Sequence, residues 1–170
     1  MPRPTHILCS LVVLAACVPA AQAALPAPVT LAGISGAAPG MTPAQVSAKW
    51  GVKLRPQRMA GSDCSAAGVL RKGMTGYVVF QNGRFGAAFF RKGARTDSGI
   101  SIGSTRKALE AAYGAALRSR PNKYEPGARD YFVRRSAKPR WQLRFDVSPK
   151  GRVEGIAFGD RSVELVEGCA

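Results

Sequence analysis

Four kinds of side chain in this sequence could do chemistry, and the place of each narrows what that chemistry can be. The single histidine, His6, falls in an N-terminal stretch that reads as a leader, so Ser–His and Cys–His nucleophile pairs and His-ligated metals are not expected. Of the four cysteines, Cys64 and Cys169 follow the leader, and in an oxidising compartment the default for two such thiols is a disulfide. That bridge would close a loop of about a hundred residues, worth roughly 4 to 5 kcal/mol in the chain-entropy picture. It would also remove the thiolate nucleophile.

Paired carboxylates need no histidine, and Glu110, Glu125, Asp130, Asp146, Glu154, Asp160, Glu164 and Glu167 supply candidates for a small carboxylate-dependent glycan hydrolase. None sits in a recognisable catalytic pattern. Glu110 reads as an i, i+4 partner of Arg106, and Asp146 and Glu154 read as solvent-side strand residues. "GISIGS" lacks the Gly-Lys-Ser/Thr ending of a phosphate loop. The expectation is a chain that is not an enzyme, with no catalytic residue, cofactor or metal.

Cations are the fourth kind. The sequence has 25 Lys and Arg against 10 Asp and Glu, a formal charge of +15, and only Arg3 falls in the leader. Residues 24–95 hold ten basic residues and one acid, Asp63, while 96–170 hold fourteen and nine. Such a field steers towards an acidic protein or an anionic envelope polymer, with nucleic acid not expected. Arg134, Lys138, Arg140, Arg144 and Arg152, with Tyr131 beside them, form the cluster expected to contact a partner; Tyr124 is a further exposed aromatic. High basic content that only keeps the protein soluble is the competing reading.

The leader itself spans residues 1–23: one Arg, the apolar run "ILCSLVVLAACV", then Ala-Gln-Ala. Cleavage is expected between Ala23 and Ala24, giving a periplasmic or secreted protein. "LAAC" also matches a lipobox, so the alternative is an outer-membrane lipoprotein acylated at Cys17. No later stretch has the roughly twenty apolar residues that a transmembrane helix needs. A membrane anchor is expected only if Cys17 is acylated.

The elements that must position these groups are announced twice. "PGMTPAQVSAKWG" at 39–51 returns as "IGSTRKALEAAYG" at 102–114, at a constant offset of 63. Thr42 with Gln45 makes a capping box, Pro43 suits the first helical position, and Gly51 and Gly114 suit the ends. Val46 with Trp50, and Leu109 with Tyr113, share one helix face. Strand-like runs follow each copy, with Asn82-Gly83 the strongest hairpin turn. Trp141, Leu143 and Phe145 alternate with Gln142, Arg144 and Asp146, the pattern of a strand with one wet face. "RPQRMAGSDCSAAG" and "RSRPNKYEPGARD" read as polar linkers. The expected fold is α+β: two pseudo-repeated units, 24–95 and 96–170, each a short helical element followed by a small antiparallel sheet.

These repeated residues resemble the β-lactamase-inhibitory-protein-like fold shared with the SmpA/OmlA outer-membrane assembly lipoproteins, whose units begin Gly-Met-Thr. Here the matching positions are Gly40, Met41, Thr42, Val46 and Gly51, then Gly103, Ser104, Thr105, Leu109 and Gly114. The resemblance covers about residues 34–160. It implies units side by side with a curved sheet surface, and a theme of protein binding, either enzyme inhibition or assembly with membrane proteins. It supplies no binding residues, and a Cys64–Cys169 bridge departs from disulfides placed within each unit. The expected function is therefore an exported, non-enzymatic binder of an acidic protein through its sheet surface. A lectin-like binder of anionic envelope glycan or lipopolysaccharide is the alternative.

Overall fold

The computed structural model describes residues 28–71, 73–134 and 141–165. The leader, Cys17, Lys138, Arg140 and Cys169 lie outside the described residues. A two-stranded ribbon, β1 (Val29–Thr30) and β2 (Gly33–Ile34), leads to helix α1 (Pro43–Trp50). Strands β3 (Gln57–Arg58), β4 (Cys64–Arg71), β5 (Met74–Gln81) and β6 (Arg84–Lys92) follow. Helix α2 (Arg106–Tyr113) and a 3-10 turn (Gly114–Ala116) precede β7 (Leu117–Pro121), β8 (Arg129–Arg134), β9 (Gln142–Val147) and β10 (Val153–Gly159). A last 3-10 turn spans Arg161–Glu164.

Both helices form for the local reasons read from their sequences. The Thr42 hydroxyl accepts from the Gln45 N–H at 3.3 Å, and Gln45 Oε1 accepts from the Thr42 N–H at 2.8 Å, a closed capping box. Gly51 stops α1 at φ 62°, where a side chain would be strained. The Thr105 hydroxyl caps α2 through the Ala108 N–H at 3.1 Å. Asn82 and Gly83 turn β5 into β6 with φ 49° and 69°, the left-handed pair a two-residue hairpin requires.

The expected architecture of two units with separate small sheets is overturned. The fold is mostly β, with one continuous antiparallel sheet in the order β3-β4-β5-β6-β10-β9-β8-β7, and only two eight-residue helices among the described residues. The seam is the pairing of β6 with β10, which sets Phe90, Phe89, Ala88 and Ala87 against Ile156, Ala157, Phe158 and Gly159. Both strands are nearly continuous apolar runs, the composition of a central strand buried on two faces. Gly159 permits the close approach, since a Cβ there would collide with the Gly86 carbonyl. The two polar linkers also carry strands: β3 and the start of β4 in one, β7 in the other. At a sheet edge only one side of a strand needs a partner, so polar residues and a terminal proline are tolerated.

One face of the sheet packs on α1, α2 and the ribbon around Val46, Trp50, Phe80, Phe85, Phe90, Leu109, Leu143, Phe145 and Phe158. The Trp50 Nε1–H donates to the Ile34 carbonyl at 2.8 Å, tying α1 to the ribbon. Tyr113 and Trp141 are half-buried against this core.

The opposite face, expected to be wet, is closed over its centre. The 161–164 turn lies across β6, β9 and β10. Val163 there fills a second small core with Cys64, Val79, Ala87, Phe89 and Ala157. Cys64 is 5% exposed.

Candidate functional site

The closed face holds a row of alternating charges. Asp146 and Asp130 lie directly opposite on β9 and β8, an arrangement that repels unless cations intervene. Three arginines do intervene. Arg91 Nη1 meets Asp146 Oδ2 at 3.0 Å, and Arg144 Nε faces Asp146 Oδ1 at 2.8 Å. Arg144 Nη2 donates to Asp130 Oδ1 at 3.3 Å, Arg120 Nε donates to Asp130 Oδ2 at 3.4 Å, and Asn122 Nδ2 donates to Asp130 Oδ1 at 2.8 Å. The Arg144 Nε–Asp146 contact lacks hydrogen-bond alignment and acts as an ion pair. The overlying turn is gripped by the same groups, because Arg144 Nη1 donates to the Val163 carbonyl at 3.1 Å and Arg120 Nη2 to that of Glu164 at 2.9 Å.

Three of the six residues expected to touch a partner, Arg144, Tyr131 and Arg134, are engaged within the fold. Arg144 is 5% exposed and structural; the strand alternation placed it correctly on the second face but could not show the turn covering it. Tyr131 is 6% exposed, on the helix-covered face, with its hydroxyl donating to Glu110 Oε1 at 3.5 Å. Arg134 is half-engaged, donating to Gln142 Oε1 and pairing with Glu164 Oε1, each at 2.9 Å. Asp130 and Asp146 are partners in the row, and Asp130, 1% exposed, has no access for a substrate. Tyr124 is exposed, with the Lys123 ammonium 5.2 Å from its ring centroid.

Of that cluster, Arg152 stands on an open cationic surface. The β9–β10 turn lies against the start of α2: the Arg106 N–H donates to the Gly151 carbonyl at 2.8 Å, and the Val153 N–H to that of Ser104 at 2.9 Å. Between them lies an open cleft of about 510 Å³ lined by Thr105, Arg106, Lys107, Glu110 and the 149–152 turn. Arg152 Nη1 reaches the Gly103 carbonyl at 3.2 Å, and Arg106 Nε is 3.7 Å from Glu110 Oε1. Lys107, Lys150 and Arg152 pair with no carboxylate among the described residues.

The cleft is electrostatically unrelieved. The first turn of α2 contains Arg106 and Lys107 and no acid, which sets cations against the positive end of the helix dipole. The local excess of four cations over one carboxylate favours an incoming anion. Sequence reasoning passed over Arg106, Lys107 and Lys150 because Lys150 lies 43 residues beyond Lys107 in the chain; basic residues in a helix's first turn were the available signal. A second opening, about 540 Å³, is lined by Pro28, 93–97, Ser101 and Ile102, and its Arg95 and Asp97 are of opposite sign. No cluster of three or more potential metal-ligating side chains occurs among the described residues.

No family model and no curated protein matches the chain. Among solved structures, a DUF4309 family protein from Bacillus subtilis is similar at 14% identity and TM-score 0.47, covering 70% of this chain and 78% of that one. A cysteine-rich secretory protein from Staphylococcus aureus is similar at 10% identity and TM-score 0.45, covering 73% of this chain and 45% of that one. Neither likeness is close enough to transfer a role. No helix among the described residues is long and apolar enough to cross a membrane.

Proposed function

We propose that the chain is an exported, non-enzymatic binding protein of the bacterial envelope type whose partner is an acidic protein. The supporting observation is the open cleft between α2 and the β9–β10 turn, where Arg106, Lys107, Lys150 and Arg152 surround a single carboxylate. The contact surface moves accordingly from the face of the sheet, whose centre the chain covers with its own turn, to this cleft. A leader over residues 1–23 and a Cys64–Cys169 bridge belong to the same proposal.

The second reading is an anionic envelope polymer. It is favoured by the lining, which is cationic with Pro149, Gly151 and Thr105 and offers no aromatic shelf, as a compact phosphate or carboxylate group would need. One titration separates these readings. Poly-glutamate and purified lipopolysaccharide are each titrated into the wild-type chain and a Lys107→Ala/Lys150→Ala variant, at about 0.05 and 0.15 M salt, where screening lengths shorten towards about 8 Å. Loss of at least tenfold in affinity for poly-glutamate in the variant, with measurable binding kept at the higher salt, supports the protein reading; the same pattern for lipopolysaccharide alone supports the second. Equal binding by variant and wild type refutes the cleft.

A further inference from the structure

The two edges of the sheet are built differently. β7 carries Arg118, Arg120 and Pro121, charges and an imino acid that discourage another strand from pairing. β4 has neither a charge nor a proline from Ala67 to Leu70. Its outer neighbour β3 covers only Ser65 and Ala66, opposite Arg58 and Gln57. The Met59 N–H donates to the Cys64 carbonyl at 3.0 Å, so the backbone groups of Cys64 point away from β5. By the two-residue period of an antiparallel ladder, those of Gly68 and Leu70 point the same way. Among the described residues nothing pairs with them.

The side chains along this edge divide as a docking strand requires. Ala67 and Val69 are buried in the main core, while Leu70 is 82% exposed. Gly68 leaves open space, with no atom within 4 Å of where a Cβ would stand. Its cross-strand neighbour Tyr77 is half-buried and stacked on Phe89 at 4.8 Å. Open hydrogen-bonding groups therefore run beside a small apolar shelf.

Charge selects among occupants. The edge belongs to residues 24–95, ten basic and one acidic, and that acid, Asp63, is held by Arg58 at 2.8 Å. Lys53 and Arg55 are exposed just before β3, and Arg71 and Lys72 follow Leu70 in the sequence. A second copy pairing through this edge would press two such cationic halves together. An extended acidic segment would instead be attracted.

We propose that β4, from Gly68 to Leu70, accepts an extended acidic segment of a partner protein as an added strand, with backbone bonds to Gly68 and Leu70 and an apolar side chain on the Leu70–Tyr77 shelf. The inference rests on the partner being a protein, and it is independent of the cleft, which lies several strands away across the sheet.

Residue-resolved amide hydrogen exchange on the full chain, with and without a capped peptide of alternating Glu and Val, tests it. Without peptide, the Gly68 and Leu70 amides should exchange at least tenfold faster than those of Ala67 and Val69, which bond to β5; saturating peptide should remove that difference. Gly68→Pro deletes one outward N–H, a change edge strands tolerate, and should weaken peptide binding at least tenfold. Leu70→Glu, which keeps the backbone and reverses the attraction, should do the same and covers a folding failure of the first variant. Lys107→Ala/Lys150→Ala should leave peptide binding at the edge intact, so success here survives failure of the cleft. The proposal is overturned if the peptide does not bind, or if it binds without protecting Gly68 and Leu70. It is equally overturned if those amides are already protected in a self-associated chain.

Discussion

Replacing Arg144 by Met separates a structural from a recognition role for the residue that the sequence placed in a partner-binding cluster. The substitution keeps most of the apolar stem and removes a guanidinium that touches Asp130, Asp146 and the Val163 carbonyl. Removing one member of a buried ion pair costs about 3 to 5 kcal/mol, mostly through the charge left behind. Asp130 keeps Arg120 and Asn122, and Asp146 keeps Arg91, so the lower end applies. At roughly 2 to 4 °C per kcal/mol for a chain of this size, a cost of about 3 kcal/mol lowers Tm by about 6 to 12 °C. Thermal and urea unfolding of wild type, Arg144→Met, Asp130→Asn and the double variant measure it, with a coupling between the two sites of about 1 to 3 kcal/mol expected. Anion binding by the folded variant should stay within twofold of wild type. A stability change below about 0.5 kcal/mol, the size of an ordinary surface substitution, together with lost binding would refute the buried row and restore Arg144 to the surface.

Trp50→Phe removes the indole donor from the Ile34 carbonyl, which keeps the Ala37 N–H, so loss of this one hydrogen bond should cost about 0.5 to 1.5 kcal/mol in urea unfolding, with the ribbon's amides exchanging faster. Tyr77 should ionise above the ordinary tyrosine value of about 10, because burial disfavours the phenolate; Arg91 opposes this, Asp146 reinforces it and Arg144 opposes it. Since the native state holds that proton longer than the unfolded chain, the stabilisation is complete below about pH 10 and is lost as pH rises through the native value; alkaline unfolding of Tyr77→Phe should show a shallower loss. Intact-mass analysis of exported protein should give a chain starting at Ala24 that resists alkylation at Cys64 and Cys169 until reduced; a lipid-modified Cys17 or two free thiols would overturn the covalent assignment.

The helices were the most legible part of the chain, because the signals that make them are local. Thr42, Gln45 and Gly51 meet within one helix, and Asn82-Gly83 needs only the two strands it joins. What could not be read was which strands find one another. Similar runs follow α1 and α2, and nothing within either run states that β6 pairs with β10 and fuses them into one sheet. The linkers failed for a related reason: β7 is polar and ends in proline, which is loop composition anywhere except at an edge.

The second face shows the same limit at the level of single residues. Alternation in β9 gave Leu143 and Phe145 to one side and Gln142, Arg144 and Asp146 to the other, and that division is correct. Alternation reports only direction; whether a direction leads to water depends on chain elsewhere. Here the 161–164 turn closes over the polar side, and the charges are matched across strands rather than solvated. Gly155 on β10 makes part of that matching possible: a Cβ there would stand 2.5 Å from Asp146 Oδ2 and 2.9 Å from Arg91 Nη1. Its missing side chain is the passage through which β6 reaches β9. A glycine in a strand is thus ambiguous in sequence between a weak point and a gate for a neighbour's ion pair. Cations aligned with acids on adjacent strands are neutralised within the sheet, whereas Lys107, Lys150 and Arg152, which pair with no carboxylate among the described residues, keep their charge at the surface.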